Sequence, residues 1–357
     1  MKLGIRMVCL TAIAFSVSTV SSAKGKIEAG ESLSAFGENR KVYHNPVIAY
    51  SAPDPTCIRV ADGTYYLYGT EDTRNMPIYK SDDLVHWTFV GTAFTEATRP
   101  AFPPEVTDKP ASLWAPEIRY VKGKYVLFYS LARWGEEWLS TVGYAVADKP
   151  EGPFTPKGYV FSSRDVNVQN SIDQFFWEED GKYYMLWGSF SGLYIIELNV
   201  SDDLTITPKL ETKQKIAGNA YEGVNLWKRG GYYYLFASRG TCCEGIRSTY
   251  TTVVGRSKSL FGPYVNKAGK PMLENGDELL LHGTEDNSFR GTGHNSILQE
   301  DDAHQTWMLY HAYYKPREDG NDGRSVSLDR VDWIDGWPVM GRGVPSTSAE
   351  VPVINHK

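Results

Sequence analysis

Hydrophobic residues along the chain fall in short bursts rather than in helical stripes. Each burst is a run of Tyr, Leu, Phe, Met or Trp, introduced by a polar turn that holds glycine. Four copies are close: Asp62 to Thr70, Lys122 to Ser130, Asp180 to Ser189 and Arg229 to Ser238. A fifth, Gln305 to His311, keeps the apolar run but lacks the glycine. A glycine-containing turn followed by an aromatic, β-prone run is the sequence form of a hairpin's second strand. Setting Tyr65, Tyr125, Tyr183, Tyr232 and Trp307 in register gives spacings of 60, 58, 49 and 75 residues. Such a period is too long for a solenoid and suits a four-stranded propeller blade, for which ~40 to 50 residues is common. Polar turns at Ser81 to Trp87, Asp148 to Phe154, Ser201 to Leu204 and Ser257 to Tyr264 each precede an outer strand. Helical periodicity is scarce, with one short candidate near Trp134 to Leu139.

The pattern predicts an all-β chain, a single-domain five-bladed β-propeller over residues 41–345. A linker over 24–40 precedes it and a tail over 346–357 follows, while Gly276 to Arg290 reads as a surface loop. A β-sandwich is the alternative, but it leaves four close copies and a weaker fifth unexplained. Residues 1–23 read as a signal peptide: Lys2 and Arg6, then an apolar stretch from Met7 to Val17, then Ser21-Ser22-Ala23 at the cut. The apolar stretch falls short of the ~20 residues that span a bilayer. Export to the periplasm or the medium is therefore expected, with no membrane span. The mature chain then keeps Cys57, Cys242 and Cys243. Adjacent cysteines rarely bridge, so three buried unpaired thiols are expected.

Composition narrows the function. Trp 10, Tyr 23 and Phe 14 make up 13% of the 357 residues, and the net charge is −6. An acidic chain has no use for nucleic acid, whose phosphates reward a basic face. The aromatic load suits carbohydrate, and Trp114, Trp134, Trp138, Phe190 and Tyr221 are candidates to stack on sugar faces.

Candidate chemistry recurs at one offset. Asp54, Glu117, Asp173, Glu222 and His294 stand 11, 8, 10, 10 and 13 residues before the aligned aromatics. The innermost strands of a propeller line its axis, so these side chains are expected to converge at one end of it. Carboxylates gathered in an aromatic-lined pocket are costly to assemble without a task. With no nucleophile elbow, P-loop or dinucleotide motif, that task reads as glycoside hydrolysis, which needs one carboxylate as base and one carboxylic acid.

Ala52-Pro-Asp54-Pro, Trp114-Ala-Pro-Glu117, Ser171-Ile-Asp173, Tyr221-Glu222-Gly223 and Gly293-His294-Asn295 resemble, in order, the motifs of glycoside hydrolase family 43. Leu186 to Phe190, Cys242 to Tyr250, Val254 to Ser257 and Asp335 to Pro338 resemble its endo-1,5-α-L-arabinanase branch. The resemblance implies Asp54 as general base, Glu222 as general acid and Asp173 as the residue that raises and positions Glu222, with inversion at the anomeric carbon. It implies sugar contacts from Trp114, Glu117, Asn170, Ser189, Phe190 and Tyr221, and a calcium ion facing His294. The expected partner is plant cell-wall arabinan, cut endo, by a monomer. An exo-acting α-L-arabinofuranosidase or β-xylosidase is the alternative within the family. A carbohydrate-binding propeller without catalysis is the alternative outside it.

Overall fold

The computed structural model describes residues 41–71, 74–315 and 323–355, so the expected signal peptide and the whole of the linker lie outside the described residues. Five antiparallel sheets follow one another along the chain, each a blade of four or five strands. Their innermost strands begin at Thr56, Ser112, Phe175, Glu222 and Phe289. The aromatic runs are the second strands: Tyr65–Tyr68, Lys124–Ala132, Lys182–Trp187, Tyr232–Arg239 and Thr306–Tyr314. The expected five-bladed propeller is what forms.

Stacking the blades buries the alternating faces of these strands in five hydrophobic clusters, one between each neighbouring pair of blades. Tyr68, Tyr129, Trp187, Tyr234 and Tyr310, all from second strands, are buried in them. Most of the aromatic excess is therefore blade-to-blade packing, at about 25 cal/mol per Å² of apolar surface removed from water.

The sheets are tied together at one end of the axis by a ring of hydrogen bonds. Within or next to each innermost strand one residue turns into the left-handed region: Asp54, Ala115, Asp173, Gly223 and His294, with φ between 43° and 61°. Each of these N–H groups donates to a side chain of the preceding blade. Asp54 donates to His311 Nδ1 (3.1 Å), Ala115 to Thr70 Oγ1 (2.7 Å), Asp173 to Ser130 Oγ (3.2 Å), Gly223 to Asp173 Oδ2 (3.0 Å) and His294 to Ser238 Oγ (2.8 Å). Four of the five are not glycine, and each left-handed non-glycine costs of order 1–3 kcal/mol. Asp54, Asp173 and His294 at the kink, and Trp114 and Glu222 just before it, reach the axis there.

All strands of the fifth blade come from the C-terminal part of the chain, so closure falls to the segment before the first blade. Ile48 bridges Val326, Ala52 N–H donates to the Arg324 carbonyl, and Asn45 bonds both backbone groups of Leu328. Val42–His44 pairs with Ser348–Glu350, which puts a strand in the stretch read as a tail. Glu278–Leu281 likewise forms the outer strand of the fourth blade, where the sequence read as loop. The polar stretch hides it because only Leu280 and Leu281 are buried. Among the described residues no helix is long and apolar enough to cross a membrane.

Candidate active site

The ring of kinked residues opens into a cavity of about 480 Å³. Asp54 and Thr70 enter it from the first blade, Trp114, Arg133, Trp134 and Glu137 from the second, and Asn170, Asp173, Ser189 and Phe190 from the third. The fourth supplies Glu222, Cys242 and Cys243, and the fifth His294, Tyr313 and Arg324. Three carboxyl groups thus meet because three blades make the same turn at or beside them.

Asp54 is built to stay ionised. Its Oδ2 accepts the Thr70 hydroxyl at 2.6 Å, and Arg324 Nη1 stands 2.9 Å from Oδ1. His294 Nδ1 lies 3.4 Å from the same oxygen. Burial works to raise this carboxyl, but the Arg324 guanidinium, the largest opposing influence, outweighs it and holds the group well below the usual carboxylate range. His311 stays neutral: burial, helped by Arg324, pushes it down to about 4. Its Nδ1 therefore keeps a lone pair for the Asp54 N–H.

Asp173 and Glu222 go the other way. Burial raises both, and the charge of Glu222 adds to the rise of Asp173, which lies well above its ordinary value. Ser189 donates to Glu222 Oε2 at 2.6 Å, and Asn170 Nδ2 donates to the Ser189 hydroxyl at 2.9 Å, so a polar relay fixes one face of Glu222. Tyr250, just ahead of the third strand of the same blade, lies beside it. The Asp173–Glu222 pair thus binds a proton more tightly than isolated carboxyls do, and Asp54 binds one more weakly. That is the division of states that acid–base cleavage of a glycosidic bond requires.

Residues 43–338 match the family described as glycosyl hydrolases family 43. The chain belongs to this family. Relatives within family 43 point in two directions. An extracellular endo-α-(1→5)-L-arabinanase of Bacillus subtilis is 33% identical over 80% of this chain and 86% of its own length. An extracellular exo-α-(1→5)-L-arabinofuranosidase of Cellvibrio japonicus is 35% identical over 80% and 85%. Among solved structures, a Cellvibrio cellulosa α-L-arabinanase complexed with arabinohexaose superposes with a TM-score of 0.71, at 32% identity over 82% of this chain and 96% of that one. As a member of family 43 this chain is a glycoside hydrolase.

Within this family 43 fold, the expected sugar contacts divide. Trp114, Asn170, Ser189 and Phe190 line the cavity. Trp134 does too; it is 76% exposed and 5.1 Å from Trp114 between ring centroids. Trp138 is not among the lining residues. Tyr221 is buried away from the cavity, its phenol donating to Asp277 and its carbonyl accepting the Phe190 N–H. It props the Phe190 backbone. Glu117 also stands clear of the cavity, because the kinked residue of its blade is Ala115 and Glu117 lies two places deeper. There it accepts from Thr56 and pairs with Arg119 at 2.5 Å, joining three blades below the site.

The thiol expectation is corrected. Cys242 and Cys243 form a disulfide with each other, and neither is buried; among the described residues only Cys57 is a free, buried thiol. Sequence reasoning also missed Arg324, His311 and Tyr250. None belongs to the repeated offset, though His311 ends the fifth aromatic run where the others end in Thr or Ser.

Among the described residues no group of three or more His, Cys, Asp or Glu is set to hold a metal. Calcium prefers ~6–8 oxygen ligands. His294 offers one nitrogen, so the residues do not form a direct calcium cage.

Proposed function

We propose that this chain is an exported hydrolase of α-1,5-linked L-arabinan that acts endo and inverts configuration. Asp54 takes the proton of the attacking water, Glu222 protonates the leaving oxygen, and Asp173 keeps Glu222 protonated and in place. The observation that carries the reading is geometric: Asp54, paired with Arg324, and Glu222, buried beside Asp173 and held by Ser189, face one aromatic-rimmed cavity, with the first carboxyl pushed down and the second up. Arabinan is favoured because two relatives named above are described as acting on α-(1→5)-L-arabinosyl linkages and a third was solved with arabinohexaose. Endo action draws support from Trp134 and Phe190, large apolar groups left 76% and 43% exposed at the rim, where they extend a platform beyond a single sugar.

The experiment is product analysis on linear arabinan, branched arabinan and arabinoxylan side by side. Oligosaccharides in the first minutes on linear arabinan support the reading; arabinose alone favours the exo alternative, and xylose release overturns the substrate. Calcium is part of the proposal only as an ion clad in its own water beside His294. Exhaustive dialysis against chelator should then lower activity, and calcium should restore it; full activity after dialysis contradicts this.

A further inference from the structure

We propose that the Cys242–Cys243 disulfide is a specificity-determining contact for the substrate, an apolar plate on which one sugar ring of the bound chain lies. The proposal rests on the carbohydrate reading of the cavity above.

Position is the first argument. Both cysteines line the cavity that holds Asp54, Asp173 and Glu222, and they sit on the same blade as Glu222. Their chemistry is the second. Sulfurs joined to each other are polarisable and demand no hydrogen-bond partner, so water leaves them at little cost. Two neighbouring residues closed into a small ring also have few rotamers to lose when a ligand binds. Comparison between blades is the third. The second blade sends Trp114 and Trp134 to the cavity and the third sends Phe190, whereas the fourth sends no aromatic ring, only Glu222 and the disulfide. The plate stands where the neighbouring blades put an aromatic.

The loop that carries it is pinned. Thr241 N–H donates to Thr249 Oγ1 at 3.0 Å, Thr249 N–H returns to Thr241 Oγ1 at 3.1 Å, and Tyr250 N–H donates to the Thr241 carbonyl at 3.1 Å. The loop ends on Tyr250, which is buried, stacks on His311 at 5.6 Å between centroids and neighbours Glu222. One short segment thus presents the plate at the rim and the tyrosine beside Glu222.

Two measurements test this. In the first, the parent is assayed oxidised and after reduction by a water-soluble phosphine, which breaks the S–S bond, yields two thiols and is itself oxidised with oxygen from water. The buried Cys57 leaves the exposed pair as the target. KM should rise about 10-fold, the scale of one lost apolar contact in a pocket, with kcat little changed. The Cys242→Ser, Cys243→Ser double variant should behave like the reduced parent. Equal KM in both redox forms overturns the proposal. If the parent does not cleave arabinan, the arabinan reading fails separately, and the same ratio is read on whichever chromogenic furanoside or xyloside it hydrolyses best.

The second measurement does not depend on the reduced form staying folded. In the Glu222→Gln variant saturated with linear arabino-oligosaccharide, phosphine should reduce the disulfide several-fold more slowly than without sugar. Saturation is followed by tryptophan fluorescence. Binding with an unchanged rate of reduction overturns the plate and leaves the arabinan reading standing.

Discussion

Arg324 sets the state of the base. Its guanidinium stands 2.9 Å from Asp54 and outweighs a burial that works the other way. An opposite charge at this range lowers a carboxyl pKa by about 1–3 units. Arg324→Met should therefore move the acid limb of the kcat/KM profile upward by about 1–3 pH units, because Asp54 then loses its proton later. An unmoved acid limb would contradict the assignment. Glu222 sits at the other limb. Glu222→Gln should cost about 10²–10⁴-fold in kcat and abolish the alkaline limb, since an amide has no proton to lose. In the proposed roles Asp173 is the charged member of the pair while Glu222 is protonated, so Asp173→Asn should shift the alkaline limb to lower pH. All three of these carboxyls are legible from their place in the repeat; Arg324 is not, because nothing in a linear sequence says that a residue 270 positions on will face Asp54.

The innermost strand does most of the work at the next scale. Its kink brings a side chain to the axis, and the N–H of the kinked residue is captured by the blade before it. Ser238 captures the N–H of His294 at 2.8 Å. Ser238→Ala leaves that buried donor without a partner, at a cost of about 1–3 kcal/mol. Calorimetry should show a Tm lowered by several degrees, with His294 loosened at the cavity floor; an unchanged Tm would mean that the ring is incidental. This element also explains where the offsets mislead. Counting from the aligned aromatic assigns Glu117 to the site, yet the kink in that blade falls on Ala115. A β-bulge shifts the register between Trp114 and Glu117, and no count along the sequence reveals it. The disulfide was hidden differently: the rule that adjacent cysteines seldom bridge is sound on average and fails in the loop Thr241 to Tyr250.

Across the whole molecule, five near-copies of one aromatic strand made the propeller legible, because blade packing repeats the same burial five times. Closure was not legible, since it depends on a unique segment rather than on the repeat. Asp329 lies at that junction. It accepts from Tyr310 at 2.6 Å and from the Ser346 N–H at 3.3 Å, and burial pushes its pKa up to about 6. A carboxyl with a raised folded-state pKa stabilises fully below its unfolded value of ~3.9. That contribution fades as the pH rises to about 6. The Tm of Asp329→Asn should therefore gain on the parent between about pH 4 and pH 7; a constant difference across that range would contradict the protonated junction.

The central claim is that Asp54 and Glu222 act from opposite sides of one arabinan linkage. Proton NMR of the first products from linear α-1,5-arabinan tests it most directly. The account predicts oligosaccharides whose new reducing ends appear first as the β-anomer and only later mutarotate. New α-anomer from the outset, or arabinose as the sole early product, would contradict it.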